Sequence, residues 1–178
     1  MFWEVIDFWF EDIEPRQWFA KDTAFDEQIR QQFGDLHRRA CAGELWQWRN
    51  EPHGCLAEVI VLDQFSRNLF RDHPRAFAQD GMALVLAQEA VRQHADQELN
   101  SMQRNFLYMP FMHSESRLVH TEAVRLFEQN GIENTLTFEH RHRDIIEQFG
   151  RYPHRNAILG RESTVAELAF LQQPGSAF

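Results

Sequence analysis

Residues 54–70 read GCLAEVIVLDQFSRNLF, and the reading of this stretch decides the fold. Its middle, EVIVLDQF, is the one place in the chain with strand character, a run rich in β-branched and apolar residues. The apolar signal extends well beyond a strand's usual length. At 100° per residue, Leu56, Val59, Ile60, Asp63, Arg67 and Phe70 fall on one arc. No alternation of strands with helices and no Asn-Gly hairpin occurs elsewhere, so a strand here would have nothing to pair with. The stretch is read as helix, and the chain as all-α.

Asp63 lies in the middle of that arc, whereas solvated carboxylates belong on the other face. A buried carboxylate must be paired or protonated, because a lone buried charge costs several kcal/mol. Arg67, four residues on, shares its face and can pair with it. The pair is either a structural ion pair or part of a pocket.

Outward from this helix, punctuation divides the chain. Thr23-Ala-Phe-Asp26 resembles a capping box, and Thr164 with Glu167 opens a last helix. Pro15 and Pro74 suit first helical positions, and Asn130-Gly131 and Gly150 suit helix ends. The spacing predicts helices over 3–11, 15–20, 23–42, 54–70, 74–93, 97–109, 115–130 and 133–149, then 164–172. Short connections favour stacked antiparallel helical hairpins within one domain, 1–178. In 74–93, Phe77, Leu84, Ala87 and Val91 share an arc flanked by Gly81, Ala83 and Ala90, and such small residues permit close helix approach. The 34-residue tetratricopeptide consensus is absent.

Composition narrows the function classes. The net charge is −9, so duplex nucleic acid and anionic lipid are repelled on average, and neither is expected as a partner. Seventeen of the eighteen basic residues are Arg, Lys21 being the exception. Codon usage accounts for that readily, and so does a need for planar, bidentate pairing. Cys41 and Cys55 have no C-x-x-C spacing, which suits a reducing cytoplasm. The aromatic start, MFWEVIDFWFED, has no basic region and is not a signal peptide. No apolar run reaches membrane-spanning length. Trp46 and Trp48 suit either a protein contact or the core.

Polar residues recur where core is expected. In 133–149, Thr135, Phe138, His142, Ile145, Ile146 and Phe149 share an arc with His142 at its centre, while His140 points away. A lone histidine there is more often a core residue than a functional one. In RNFLYMPFMHSES, Arg104, Leu107, Tyr108 and Phe111 share a face, and Pro110 should kink or end the helix. His113 and Ser114 fall at the break. Ser114 or Ser116 caps the next helix, and Arg104 near Tyr108 is the better ligand candidate. FGRYPHRNAILGRES (149–163) threads Arg151, His154, Arg155, Asn156 and Arg161 through a turn. Either these side chains satisfy extended backbone, or Arg151, His154 and Arg155 converge on an anion.

No phosphate-binding glycine loop, no G-x-S-x-G and no H-E-x-x-H occurs. Glu139 and His142 form a single Glu-x-x-His, short of a di-iron set. His37, His53, His73 and His94 read as scattered and exposed, so no metal and no cofactor are expected.

Four long blocks, VIDFWFEDIEPRQWFAKD, VLDQFSRNLFRDHPRAFAQD, RNFLYMPFMHSES and HRDIIEQFGRYPHRNAILGREST, resemble a bacterial family of uncharacterised proteins, a domain of unknown function. The resemblance runs from about Val5 to Leu171. It implies a tetratricopeptide-like superhelix of roughly eight to nine helices and no established activity. It also implies characteristic polar positions: Asp63, Gln64, Arg67, Asn68, Arg104, Tyr108, His113, Ser114, Arg143, Asp144, Arg151, His154, Arg155, Asn156 and Arg161. Glu14 departs from the small hydroxylated cap expected before Pro15, and the chain is shortened around His94–Gln97.

Three readings follow. In the first, the protein is a binding module whose Asp63, Arg67, Asn68, Arg104, Tyr108, His113, Arg151, His154, Arg155 and Asn156 line a pocket. The pocket would hold a small anion or a carboxylate-bearing peptide. In the second it is a hydrolase or transferase acting on a phosphorylated or carboxylated small molecule. His142 or His154 would then be the acid or base, oriented by Asp63. In the third the polar set fixes helix register without a ligand. The oligomeric state is left open.

Overall fold

The computed structural model describes residues 1–177, and these form helices and turns with no strand. The α-helices are α1 (Phe2–Asp7), α2 (Thr23–Cys41), α3 (Pro52–Ile60), α4 (Ser66–Leu69), α5 (Asp80–Arg92), α6 (Ser101–Met112), α7 (Arg117–Asn130), α8 (Glu133–Phe149) and α9 (Val165–Leu171). A π-helical turn, Phe8–Asp12, extends α1, and another, Val61–Phe65, joins α3 to α4. The helix expected over 54–70 is therefore present, but its middle is wound more loosely than an α-helix.

This central rod has no outside. Every residue from Gly54 to Ser66 is buried, because α3 packs against α1, α5 and α6, while α2 covers the π turn and α4. The expectation of a solvated opposite face is thus corrected: Glu58 is 0% exposed. It survives there because Arg49 donates two hydrogen bonds to it, at 2.7 and 2.8 Å. Arg49 comes from a 3-10 turn, Trp46–Asn50, in a stretch assigned no helix from the sequence. Trp48 of that turn packs on the core, and Trp46 stays 59% exposed.

Aromatic residues of α1 and its π extension, α2, the second π turn and α6 form one cluster. Phe8 and Phe65 each lie 4.9 Å from Phe33 between ring centroids, and Trp9 meets Phe65 and Phe106 edge-on at 5.6 and 5.7 Å. Such edge-to-face pairs add to the stabilisation from burial alone. The Trp18 indole N–H donates to the Trp9 carbonyl at 2.8 Å, tying the turn after α1 back onto it.

Helix ends follow local chemistry. Asp22, rather than Thr23, caps α2, accepting from the Ala24 and Phe25 amides. Gly131 and Gly150 end α7 and α8 in the left-handed conformation, with φ of 76° and 71°. Thr164 and Glu167 form the reciprocal capping box of α9. The helix expected over 15–20 is only a 3-10 turn, Pro15–Gln17, and two further expected helices are interrupted. The 74–93 helix splits into a 3-10 turn, Pro74–Ala76, and α5, which frees Phe77 from the helix. The 97–109 helix splits into a 3-10 turn, Ala95–Glu98, and α6, which begins behind an Asn100–Gln103 capping box. Pro110 does not stop α6, which runs on to Met112. The close-approach face of α5 is carried by Ala83, Ala87 and Ala90, each at most 2% exposed. Helix α6 packs on α7, and α7 on α8.

One contact depends on a single missing atom. A Cβ on Gly54 would collide with the Trp48 carbonyl, and backbone on both sides has little room to yield. Gly54→Ala is therefore expected to destabilise the protein by about 1–3 kcal/mol. That corresponds to a fall in melting temperature of roughly 5 °C for a domain of this size, read by thermal unfolding followed by circular dichroism.

Candidate functional site

The π turn aims the Asp63 carboxylate into the interior, where its side chain is 1% exposed. Three side chains meet it. His113 Nδ1–H donates to Oδ1 at 2.7 Å, Gln64 donates to Oδ2 at 2.6 Å, and Arg67 Nη1 lies 3.0 Å from Oδ1. Arg67 also donates to both Asp80 oxygens, at 3.0 and 3.1 Å. Asp80 in turn accepts from Arg155 Nη1 at 3.1 Å, and Arg155 Nη2 donates to the His113 carbonyl at 3.0 Å. The result is a ladder of alternating sign: Asp63, Arg67, Asp80, Arg155. The Arg155 guanidinium lies between the Phe77 and Tyr152 rings, 4.5 and 4.7 Å from their centroids.

The charges shift as this arrangement demands. Burial alone would raise the Asp63 carboxyl, but Arg67 and His113 outweigh it and hold the group well below the usual carboxylate range. Burial alone would lower Arg67, but Asp63 and Asp80 raise it. Burial and the Arg67 charge together push the His113 imidazole below its ordinary value, against the opposing pull of Asp63. His113 is therefore neutral at pH 7. Its proton sits on Nδ1, facing Asp63, and Nε2 carries the lone pair. Nε2 makes no hydrogen bond among the described residues.

Beside His113 is a cleft of about 320 Å³. Phe77, Leu84, Pro110 and Leu159 give it apolar walls, and Asp80, His113, Glu115 and Arg155 its polar edge. Glu115 is held by Arg161, whose two contacts are 2.7 and 2.9 Å, and accepts the Tyr152 amide at 2.7 Å. Ser114, also at the cleft, accepts the Ser116 amide, and Ser116 caps α7.

Of the residues singled out from sequence, Asp63, Gln64, Arg67, His113 and Arg155 come together, with Ser114 at the same cleft. The others are distributed among separate clusters. Asn68 donates to Asp26, which Arg71 also clamps. Tyr108 donates to Asp96 at 2.6 Å, and the Arg104 charge acts on that phenol rather than on the cleft. Arg151 is bonded to Glu167 at 2.6 and 2.8 Å, away from Arg155. Asn156 braces the last turn by donating to Ser163 and accepting from Arg161. Arg143 pairs with its neighbour Asp144. His142 donates Nδ1–H to the Phe138 carbonyl, and its ring, like that of His154, lies 5.7 Å from Tyr152.

Several expectations about burial are corrected. On α8 the inward face carries Glu139, at 0% exposure, while Phe138 is 40% exposed. The reason is His120 of α7, whose Nε2–H donates to the Ser114 carbonyl at 2.8 Å and whose Nδ1 is hydrogen-bonded to Glu139 at 2.7 Å. His37 is buried, not exposed, with Nε2 2.8 Å from Ser66 Oγ. Asp80, Glu115 and His120 were not picked out from sequence, and Phe77 was picked out only as part of an apolar helix face. Asp80 reads there as an ordinary first-turn acid, and only its position between two guanidiniums marks it. Among the described residues, no three His, Cys, Asp or Glu side chains are grouped to hold a metal ion, and no helix is long and apolar enough to cross a membrane.

These features define an all-helical protein cross-braced by an internal ladder of charges, with a cleft at one buried histidine. The family model described as "Bacterial protein of unknown function (DUF924)" matches residues 5–175, and the chain belongs to that family. It is similar to a solved structure, "Structure of Protein of Unknown Function ATU0120 from Agrobacterium tumefaciens", with 39% identity over 96% of each chain and a TM-score of 0.92. No curated protein matches it.

Two outcomes test this electrostatic account. Asp80→Ala leaves Arg67 and Arg155 facing each other and is expected to cost about 3 kcal/mol. Adding Arg155→Met, which removes the guanidinium left without a carboxylate and keeps Asp63 paired with Arg67, should recover part of that loss in urea unfolding. The second concerns His142, which burial pushes down to about 3. An unfolded histidine titrates near 6.5, so below that pH the unfolded chain binds a proton that the folded one refuses. Stability is therefore greatest above about pH 6.5 and falls as pH drops toward the folded value, by up to ~1.4 kcal/mol per pH unit. His37 and His154, each lowered to about 4 chiefly by burial, act in the same direction. His142→Leu should flatten the dependence of the urea midpoint on pH between 7 and 5.

Proposed function

We propose that the cleft beside His113 is a small-molecule site in which His113 accepts a proton or a hydrogen bond from the ligand. The observation that carries this reading is the 2.7 Å bond from His113 Nδ1–H to the buried Asp63. It fixes the ring orientation and tautomer, which leaves Nε2 as a base at the cleft. The ligand class that suits the walls is a compact molecule with an apolar body and one hydroxyl, amide or amine proton donor. If a reaction follows, His113 is the general base and Asp63 the group that orients it. His142 and His154 are less suited to that role, since neither is among the residues lining the cleft.

Anion capture by the same guanidiniums has weaker support. Arg67 and Arg155 already spend N–H groups on Asp63, Asp80 and the His113 carbonyl, so an anion would have to displace Asp80. The purely structural reading draws support from the same pairing, but it gives no role to the unbonded Nε2. Two further properties belong to this reading of the protein. The packing of α6 on α7 and of α7 on α8, in chain order, supports a tetratricopeptide-like stack. Cys41 and Cys55, both free thiols, support a cytoplasmic setting.

Diethylpyrocarbonate acylates neutral, accessible imidazole nitrogen. At neutral pH, His113 should be modified, as read by peptide mass spectrometry, while His37 and His120 remain unmodified. A small panel of alcohols, amides and amines should include at least one compound that raises the melting temperature of the wild type but not of His113→Asn. Absence of His113 modification, or a ligand shift that persists in His113→Asn, would sink the proposal. With a turnover substrate in hand, His113→Asn should lower kcat by about 10²–10⁴.

A further inference from the structure

Helix α2 and the turn after α4 frame a second cleft, of about 240 Å³. Its wall carries Arg30, Arg38 and Arg75 and no carboxylate, in a chain whose net charge is −9. Two of these guanidiniums are occupied. Arg30 donates to the Leu69 carbonyl at 2.6 Å and lies 3.3 Å from Glu27, and Arg38 pairs with Asp35. Arg75 has no carboxylate partner among the described residues. Its guanidinium lies over the Phe70 ring, 3.9 Å from the centroid, which holds it in place without using its N–H groups.

Two more features shape the cleft. Ser66 Oγ–H donates to the Leu62 carbonyl at 2.5 Å, so Ser66 Oγ accepts from His37 Nε2–H at 2.8 Å. That leaves His37 Nδ1 as an acceptor, 3.6 Å from Cys41 Sγ. Burial pushes the Cys41 thiol up, and the nearby Arg75 charge opposes that push. At Gly34, a Cβ would meet no atom within 4 Å, so the cleft reaches the helix backbone itself.

The geometry points to a second ligand site, separate from the His113 cleft, at which Arg75 holds the anionic group of a small molecule above Cys41. A guanidinium fixed in its plane with unspent N–H groups matches a carboxylate or a phosphate oxygen pair. Those two headgroups share this chemistry, and the experiment separates them.

Cys41 reports on the site directly. Its alkylation by anionic iodoacetate is compared with that by neutral iodoacetamide at alkaline pH, and Cys55, which is buried, serves as the internal control. The rate ratio, iodoacetate over iodoacetamide, should fall about fourfold in Arg75→Gln, the effect of one unit charge at ~5 Å in a water-like dielectric. Inorganic phosphate or acetate, each matched to chloride at equal ionic strength, should slow the iodoacetate reaction in the wild type but not in Arg75→Gln. Whichever anion protects at the lower concentration identifies the headgroup. Gly34→Leu fills the cleft with a better helix former, so it should abolish protection without lowering the melting temperature. An unchanged rate ratio in Arg75→Gln, or protection by neither anion, would overturn the assignment.

Discussion

A carboxylate with almost no solvent access is the constraint around which this molecule is arranged. Asp63 sits at the centre of the central rod, and an isolated charge there would cost several kcal/mol. Arg67 answers that charge but brings its own, which Asp80 answers, and Arg155 then balances Asp80. The series ends at Arg155, whose second terminal nitrogen donates to a backbone carbonyl and whose guanidinium packs on two aromatic faces. Four parts of the chain are thereby held in mutual register: the π turn, the start of α5, the end of α6 and the turn around Arg155. Such a network contributes little net stability compared with an apolar equivalent, but it admits few alternative arrangements. It also explains why α5 begins late. The break leaves Phe77 outside the helix, with the guanidiniums of Arg67 and Arg155 5.7 and 4.5 Å from its ring centroid.

Much of the architecture was legible in the chain. Caps and glycines marked the ends of α7, α8 and α9, and the single strand-like run resolved as helix because nothing existed to pair with it. The inward direction of Asp63 and its partnership with Arg67 were legible for the same reason that any amphipathic helix is: spacing converts to angle. That logic fails where a helix is surrounded. In α3 all faces are inside, so the arc could not reveal that Glu58 is as buried as Asp63. It fails again on α8, where a histidine on the neighbouring helix draws Glu139 inward and leaves Phe138 partly exposed. Most of the site depended on facts of this second kind. Asp80, Glu115 and His120 are ordinary residues in sequence, and their roles come from what other elements bring to them. Conversely, Tyr108 and Arg151 looked suited to a pocket but had closer partners of their own, and Arg104 is not among the residues lining the cleft.

The two clefts differ in a way that composition could not anticipate. At His113, the cations gathered from distant positions are balanced by carboxylates, and what remains unspent is an imidazole lone pair. At the second cleft, Arg75 faces α2 and has no carboxylate partner among the described residues. Counting arginines in the sequence pointed toward the first place, while counting available N–H groups in the structure points toward the second.

The ladder also has an order in time. Its rungs lie at positions 63, 67, 80 and 155, so during synthesis the first three emerge long before the last. Until Arg155 leaves the ribosome, Phe77 and Asp80 face a gap that only water can fill, and His113 has no guanidinium against its carbonyl. The segment that completes this interior is therefore made after the elements it closes upon. A nascent chain stalled before it would expose the polar seam and the cleft wall together.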